Sequence, residues 1–239
     1  MLLAVAEFGS GPAPARANTV APTGVTSVIE LFTSQGCSSC PPADHLLSTL
    51  ARAPNVVALS FPIDYWDYIG WRDTLASPAF TARQKAYAAA RGDPRIYTPE
   101  AIIDGLADAV GSDKSAIERA VSLTHGRDGA LTVPMRLTET QRVLHIDIGA
   151  GPEVAAGVYV LRITKSETVA IRRGENSGRS VTYTNVVRAI TKIGDWNGKA
   201  RSFELMEVKG EDEGYVVLLQ KGDESSPGAI LAAAKSSGF

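Results

Sequence analysis

The sequence predicts an α/β domain followed by an all-β, sandwich-like domain. Three observations carry that prediction. Apolar runs of strand length alternate with helical segments up to about residue 127. From about Ala130 onward, short alternating segments follow one another, punctuated by Gly, Asn or Asp. Hydrophobic residues form 44% of the 239-residue chain and charged residues 21%, enough apolar material for a real core and too much for a disordered chain. The expected division is 1–22 as a leader, 23–127 as the α/β domain and 128–239 as the β domain with a short C-terminal helix.

The elements of the first part follow in order. Val28-Ile29-Glu30-Leu31-Phe32 is bulky enough for a buried strand over about 27–33, and Gln35-Gly36 ends it. A helix is expected over about 40–52, with Leu46, Leu47 and Leu50 at helical spacing. Pro41 and Pro42 fall in its first turn, where a missing N–H has no partner to lose. Asn55 to Phe61 reads as a second buried strand, closed by Pro62. A long aromatic loop, Asp64 to Asp73, comes next. Ser77-Pro78 has the pattern of an N-cap and first helical position, and that helix runs to about Arg91 and stops at Gly92. Tyr97-Thr98-Pro99 precedes a strand, Ala101-Ile102-Ile103. Asp104-Gly105 signals a hairpin, so Asp108-Ala109-Val110 should return antiparallel. A last helix is expected with Ser112 as its cap and Ala116, Ile117, Ala120, Val121 and Leu123 on its apolar face.

In the second part, segments near 131–133, 143–148, 157–163, 168–171, 186–190, 202–205 and 215–219 read as six or seven short strands. That number, with turn signals between them, suggests a β-sandwich. The alanine-rich run Ala229 to Ala234 is expected to be the closing helix.

Both cysteines of the chain, Cys37 and Cys40, lie at the expected strand-to-helix junction. A helix N-terminus offers free N–H groups and partial positive charge, which favour a thiolate over a thiol. Cys37 is therefore expected to be the nucleophile, with a lowered pKa, and Cys40 the resolving thiol one turn on. The pair also has other readings. It fits an inert structural disulfide. Half of a zinc site would need a second cysteine pair, and haem attachment needs a histidine where Pro41 stands. A copper-binding chaperone using Cys37, Cys40 and His45 is a minor alternative.

The β-α-β-α-β-β-α order resembles that of thioredoxin-like proteins. Leu31-Phe32-Thr33-Ser34-Gln35-Gly36-Cys37-Ser38-Ser39-Cys40 is similar to the active-site approach of thioredoxins and glutaredoxins. The resemblance implies a thioredoxin-like domain and a cis peptide at Pro99, facing the cysteines, with the Thr98 backbone pairing to an extended substrate. The chain as a whole resembles a family of bacterial exported proteins grouped as domain of unknown function 1223. The matching stretches are Glu30 to Asp44, Asp64-Tyr65-Trp66-Asp67-Tyr68, Trp71-Arg72-Asp73, Tyr97-Thr98-Pro99 and Arg173-Gly174-Glu175-Asn176. That resemblance implies export and supplies no activity.

Other residues qualify as site candidates. Glu30 is an acid inside a buried strand, so it either carries protons for the cysteines or pairs with a lysine or arginine. The loop bearing Asp64, Trp66, Asp67 and Trp71 follows the second strand, at the end of a parallel sheet where ligands bind. With Tyr97 these residues form the expected docking surface for a protein thiol or disulfide substrate, or for a small ligand; the alternative is that the aromatic loop packs the two domains together. The basic loop from Arg172 to Arg179 is either an anion site reaching over the cysteines or a solvated turn.

A net charge of −2 argues against nucleic acid as a generic partner. No apolar run after the N-terminus is long enough to span a membrane. Met1 to Ala6 and Ala15-Arg16-Ala17 resemble parts of a signal peptide without its positive start. The expected protein is thus a periplasmic or secreted thiol–disulfide oxidoreductase. It needs no organic cofactor or metal, because its electrons sit in two sulfurs. The rival expectation is a non-enzymatic binding module with a structural disulfide.

Overall fold

A computed structural model describes residues 24–140, 142–206 and 210–239. Strand β1 (Ser27–Thr33) is buried along its whole length. It pairs in parallel with β2 (Val56–Pro62) and antiparallel with β3 (Glu100–Ile103). Alternation along a strand sends successive side chains to opposite faces. Val28 and Phe32 accordingly enter one core, with Phe80 and Tyr87 of helix α2 (Pro78–Ala90). Ile29 and Leu31 enter another, with Ala43 and Leu47 of α1 (Pro41–Leu50) and Ile117 and Ala120 of α3 (Lys114–Thr124). Strand β4 (Ala107–Val110) returns antiparallel to β3 after Asp104 and Gly105, both with positive φ. The first Ser-Pro pair behaves as read: Ser77 caps α2 through its side chain and Pro78 opens it. Helix α3 is capped by Asp113 and not by Ser112, because the Asp113 carboxylate reaches the Ala116 N–H.

The expected partition into a thioredoxin-like α/β domain and a separate β-sandwich does not occur. One eight-stranded mixed sheet runs through both parts, in the order β11-β10-β7-β8-β2-β1-β3-β4. Its second half is built from β7 (Ala156–Ala170), β8 (Ser180–Trp196), β10 (Glu213–Gly222) and β11 (Pro227–Lys235). The join lies at β2, whose outer edge pairs in parallel with β8 at Ser60 and Val186. Ser60 Oγ donates to the Thr184 carbonyl, and Asn185 Nδ2 donates to the Ala58 carbonyl. The core under α2 crosses this join, uniting Phe61 and Leu59 with Leu161, Val187 and Leu218. An α/β domain closed at β2 would leave that edge unpaired, and unpaired edges are a liability.

The remaining strands, β5 (Met135–Glu139), β6 (Val143–Ile148) and β9 (Arg201–Met206), form a three-stranded sheet. Met135, Leu144, Ile146 and Ile148 pack it onto Val158, Val217, Leu219 and Leu231 of the large sheet. The closing helix expected at 229–234 is instead strand β11. Alanine favours helices intrinsically, but here the run is buried against β10 on one edge and bonded to Leu131 and Val133 on the other. The leader expected over 1–22 lies outside the described residues. Among the described residues, no helix is long and apolar enough to cross a membrane.

Candidate functional site

The site forms where β1 ends and α1 begins. Cys37 and Cys40 are joined by a disulfide, with Cα atoms 5.4 Å apart. Both are buried, at 1% and 0% exposure, while Ser38 and Ser39 between them are exposed. Cys40 is the N-cap of α1. The helix end offers less than its position suggests. Pro41 and Pro42 carry no N–H, and the Cys40 N–H is taken by the Cys37 carbonyl. A hydroxyl compensates: Ser39 Oγ lies 3.4 Å from Cys37 Sγ, within reach for an O–H···S bond.

Three segments converge on this loop. The Thr98–Pro99 peptide is cis, and the Thr98 carbonyl lies 3.5 Å from Ser39 Oγ. Trp66 Nε1 donates to Thr98 Oγ1 at 2.7 Å, which ties the aromatic loop to the same edge. Gly36 permits this approach, since a Cβ there would lie 3.0 Å from Trp66 Cβ. Tyr68, 81% exposed, stacks on Trp66 and extends the aromatic surface outward.

The third segment comes from far along the chain. The tip of the β7–β8 hairpin inserts Asn176, 1% exposed, against the cysteine loop. Asn176 Nδ2 donates to the Gln35 carbonyl at 3.0 Å and to the Cys37 carbonyl at 2.8 Å. Gln35 is held from its other side: its N–H donates to Asp73 Oδ2, and its Oε1 accepts from Trp71 Nε1. The loop carrying Cys37 is thus clamped between the aromatic loop and the hairpin tip.

Two acids lie beneath the loop. Asp44, on α1 four residues beyond Cys40, is buried and accepts from Thr33 Oγ1 at 2.8 Å. Its other oxygen has no hydrogen-bond partner among the described residues. Burial pushes Asp44 up to about 8, and the neighbouring Asp73 adds to this. Burial also pushes Asp73 up to about 6, against the N–H groups of Gln35 and Leu75 that hold it down. Tyr183 of β8 is raised too, by burial first and then by these two acids. Burial at the floor of the site therefore favours the protonated form of Asp44.

Residues 28–220 match the family described as Protein of unknown function (DUF1223). The chain belongs to that family. A crystal structure of an Agrobacterium tumefaciens protein, a structural genomics target, is similar over 90% of this chain and 95% of its own. The two share 36% identity and superpose with a TM-score of 0.80. A search of curated proteins found no match.

In this DUF1223 chain the predicted site residues divide into two groups. Cys37, Cys40, Thr98, Pro99, Trp66 and Trp71 come together around one loop. The others are bound elsewhere. Glu30 forms a bidentate ion pair with Arg83, joined by Tyr87 and Gln220. It lies two residues from Val28 and Phe32, on the sheet face covered by α2, whereas Asp44 belongs to α1, which packs on the opposite face. Asp64 accepts from Thr81 at the start of α2, and Asp67 accepts from the Asp73 N–H, so both hold the loop in shape. Tyr97 donates its hydroxyl to Asp108 of β4 and its carbonyl accepts from Gln84. His45 is exposed on α1. Among the described residues, no group of three or more His, Cys, Asp or Glu is arranged to hold a metal ion.

Sequence reasoning missed Asn176, Ser39 and Asp44. Asn176 stood in a stretch already singled out, but its contact with Cys37 spans 139 positions. Asp44 carried a signal that went unused: it repeats the Cys40 position one turn along α1, so it shares that residue's face.

Proposed function

We propose that the protein is a thiol–disulfide oxidoreductase working in an oxidising, extracytoplasmic compartment. The observation that carries this reading is the Cys37–Cys40 disulfide at the start of α1, bordered by the Thr98–Pro99 edge. The pairing of the chain's only two cysteines supports the oxidising setting.

In the oxidising direction, a substrate thiolate attacks Cys37 Sγ. A bond forms between the substrate sulfur and Cys37, and the Cys37–Cys40 bond breaks with Cys40 leaving as thiolate. That thiolate takes up a proton. A second substrate thiol, deprotonated, then attacks the substrate sulfur of the mixed disulfide and releases Cys37 as thiolate. The substrate pair is oxidised, and the protein is reduced by two electrons. The Ser39 hydroxyl and the helix dipole supply stabilisation for the Cys37 thiolate. The exposed residues Ser38 and Ser39 and the surface of Trp66 and Tyr68 supply the docking edge.

A second reading is favoured by one observation, the burial of both cysteines. Under it the disulfide is a staple, and the aromatic surface binds a ligand. The reduction potential separates the two. A midpoint in glutathione buffers between about −270 and −120 mV, with a lowered Cys37 pKa in alkylation of the reduced protein, supports the oxidoreductase. A midpoint below about −300 mV with an ordinary thiol pKa assigns the pair to the staple. Cys37→Ser should abolish thiol exchange with the fold retained.

A further inference from the structure

The hairpin that clamps Cys37 also carries charge. Its tip, residues 171–179, joins β7 to β8 and presents Arg172, Arg173 and Arg179, all exposed. Two contacts place this tip beside the loop of the disulfide. Arg179 Nη1 donates to Asn176 Oδ1 at 3.1 Å, and the same amide donates to the Cys37 carbonyl. Gly174, at φ +76°, leaves room for Trp71, whose Cβ would lie 3.3 Å from a Cβ at that position. Trp71 precedes Arg72, which is also exposed, so the aromatic loop adds a fourth guanidinium beside the hairpin tip.

None of these four arginines forms an ion pair among the described residues. Arg179 meets a neutral amide. The acids close by offset them poorly. Glu175 is a single exposed carboxylate, Asp67 accepts from the Asp73 N–H, Asp73 is buried with its two oxygens accepting from the Gln35 and Leu75 N–H groups, and burial raises the Asp44 pKa. The chain as a whole is net −2, so this positive rim is a local segregation of charge and not a reflection of composition. Unpaired arginines around a cleft attract anions, speed their encounter and recognise carboxylates with two parallel hydrogen bonds.

We propose that the partner of this site is an acidic peptide segment bearing a cysteine. Its carboxylates meet Arg72, Arg172, Arg173 and Arg179 while its sulfur reaches Cys37. This rests on the oxidoreductase reading. The chemistry favours a thiol-bearing acid over other anions, because the segments that carry the four arginines border a disulfide loop, and thiol exchange is the chemistry a disulfide offers. Exchange at Cys37 follows the balanced steps given above, and the arginines take no electrons or protons.

The test uses the oxidised protein and three synthetic peptides, each with one cysteine flanked by aspartates, by serines or by lysines. Reduction of the Cys37–Cys40 disulfide is followed, and each rate is divided by that peptide's rate with an unhindered small disulfide. At low salt the aspartate peptide should react about tenfold faster than the serine peptide, and the lysine peptide should be slowest. Near 1 M salt, where the Debye length falls to about 3 Å, the order should collapse. Arg172→Ser/Arg173→Ser, two exposed positions, should compress the order at low salt. Equal normalised rates for all three peptides, or a lysine peptide that leads, would overturn the acidic partner alone. A disulfide inert to all three peptides would instead overturn the oxidoreductase reading beneath it.

Discussion

Asp44 makes its effect felt through pH. Its ordinary value of 3.8 applies to the unfolded chain, whereas burial holds the folded group at about 8. Between those values the folded protein keeps a proton that the unfolded chain releases, so stability declines as pH rises through the window. Asp73, raised to about 6, adds to the lower part of the decline. The contribution of these two acids to the melting temperature should fall from about pH 4 to about pH 8. Asp44→Asn should flatten that fall and raise the melting temperature at the alkaline end; an unchanged profile would remove Asp44 as its source. Glu30 behaves oppositely as a mutational target. Its carboxylate is fully buried, and Arg83 supplies two hydrogen bonds to it. Arg83→Leu strands a buried charge, and the expected loss is about 3–5 kcal/mol in denaturant unfolding. Of these two acids, Glu30 was conspicuous in the sequence because it interrupts an apolar strand. Asp44 was not, because polar residues on a short helix look like its wet face. Only the burial of that face by β8 reveals it.

At the scale of elements, the β7–β8 hairpin is the part that makes the site unusual. Its tip packs beside the disulfide loop, and the Asn176 amide bonds it to that loop. Asn176→Ala leaves the Gln35 and Cys37 carbonyls without their shared donor, at a cost of about 1–3 kcal/mol. The disulfide of that variant should be reduced several-fold faster by dithiothreitol. If stability drops while the reduction rate holds, the tip does not control access. Local signals were legible here: the strand-to-helix junction at Cys37, the Ser77-Pro78 cap and the Asp104-Gly105 turn each depend on a few adjacent residues. The reach of the hairpin was not legible, since nothing near Asn176 states which carbonyls it will meet. The run at 229–234 was misread for a related reason. Alanine propensity is worth tenths of a kcal/mol per residue, and two flanking hydrogen-bonded neighbours outweigh it.

For the whole molecule, the decisive contact is the short parallel pairing of β2 with β8, which merges what reads as two domains into one sheet. A fragment ending near residue 127 would keep α1, α2 and α3 but expose the outer edge of β2 and the face of Phe61 and Leu59. It should aggregate or associate on size-exclusion chromatography, and a monomeric, cooperatively unfolding fragment would refute the continuity of the core. The clamp on the cysteines has a further consequence in time. Asn176 follows Cys37 by 139 positions, and chains are made at roughly 5–20 residues per second, so roughly 7–28 s pass before the covering amide exists. During that interval Cys37 and Cys40 are open to whatever oxidant or partner disulfide the nascent chain meets. The order of manufacture therefore lets the two cysteines meet before the amide that fastens the hairpin to their loop has been made.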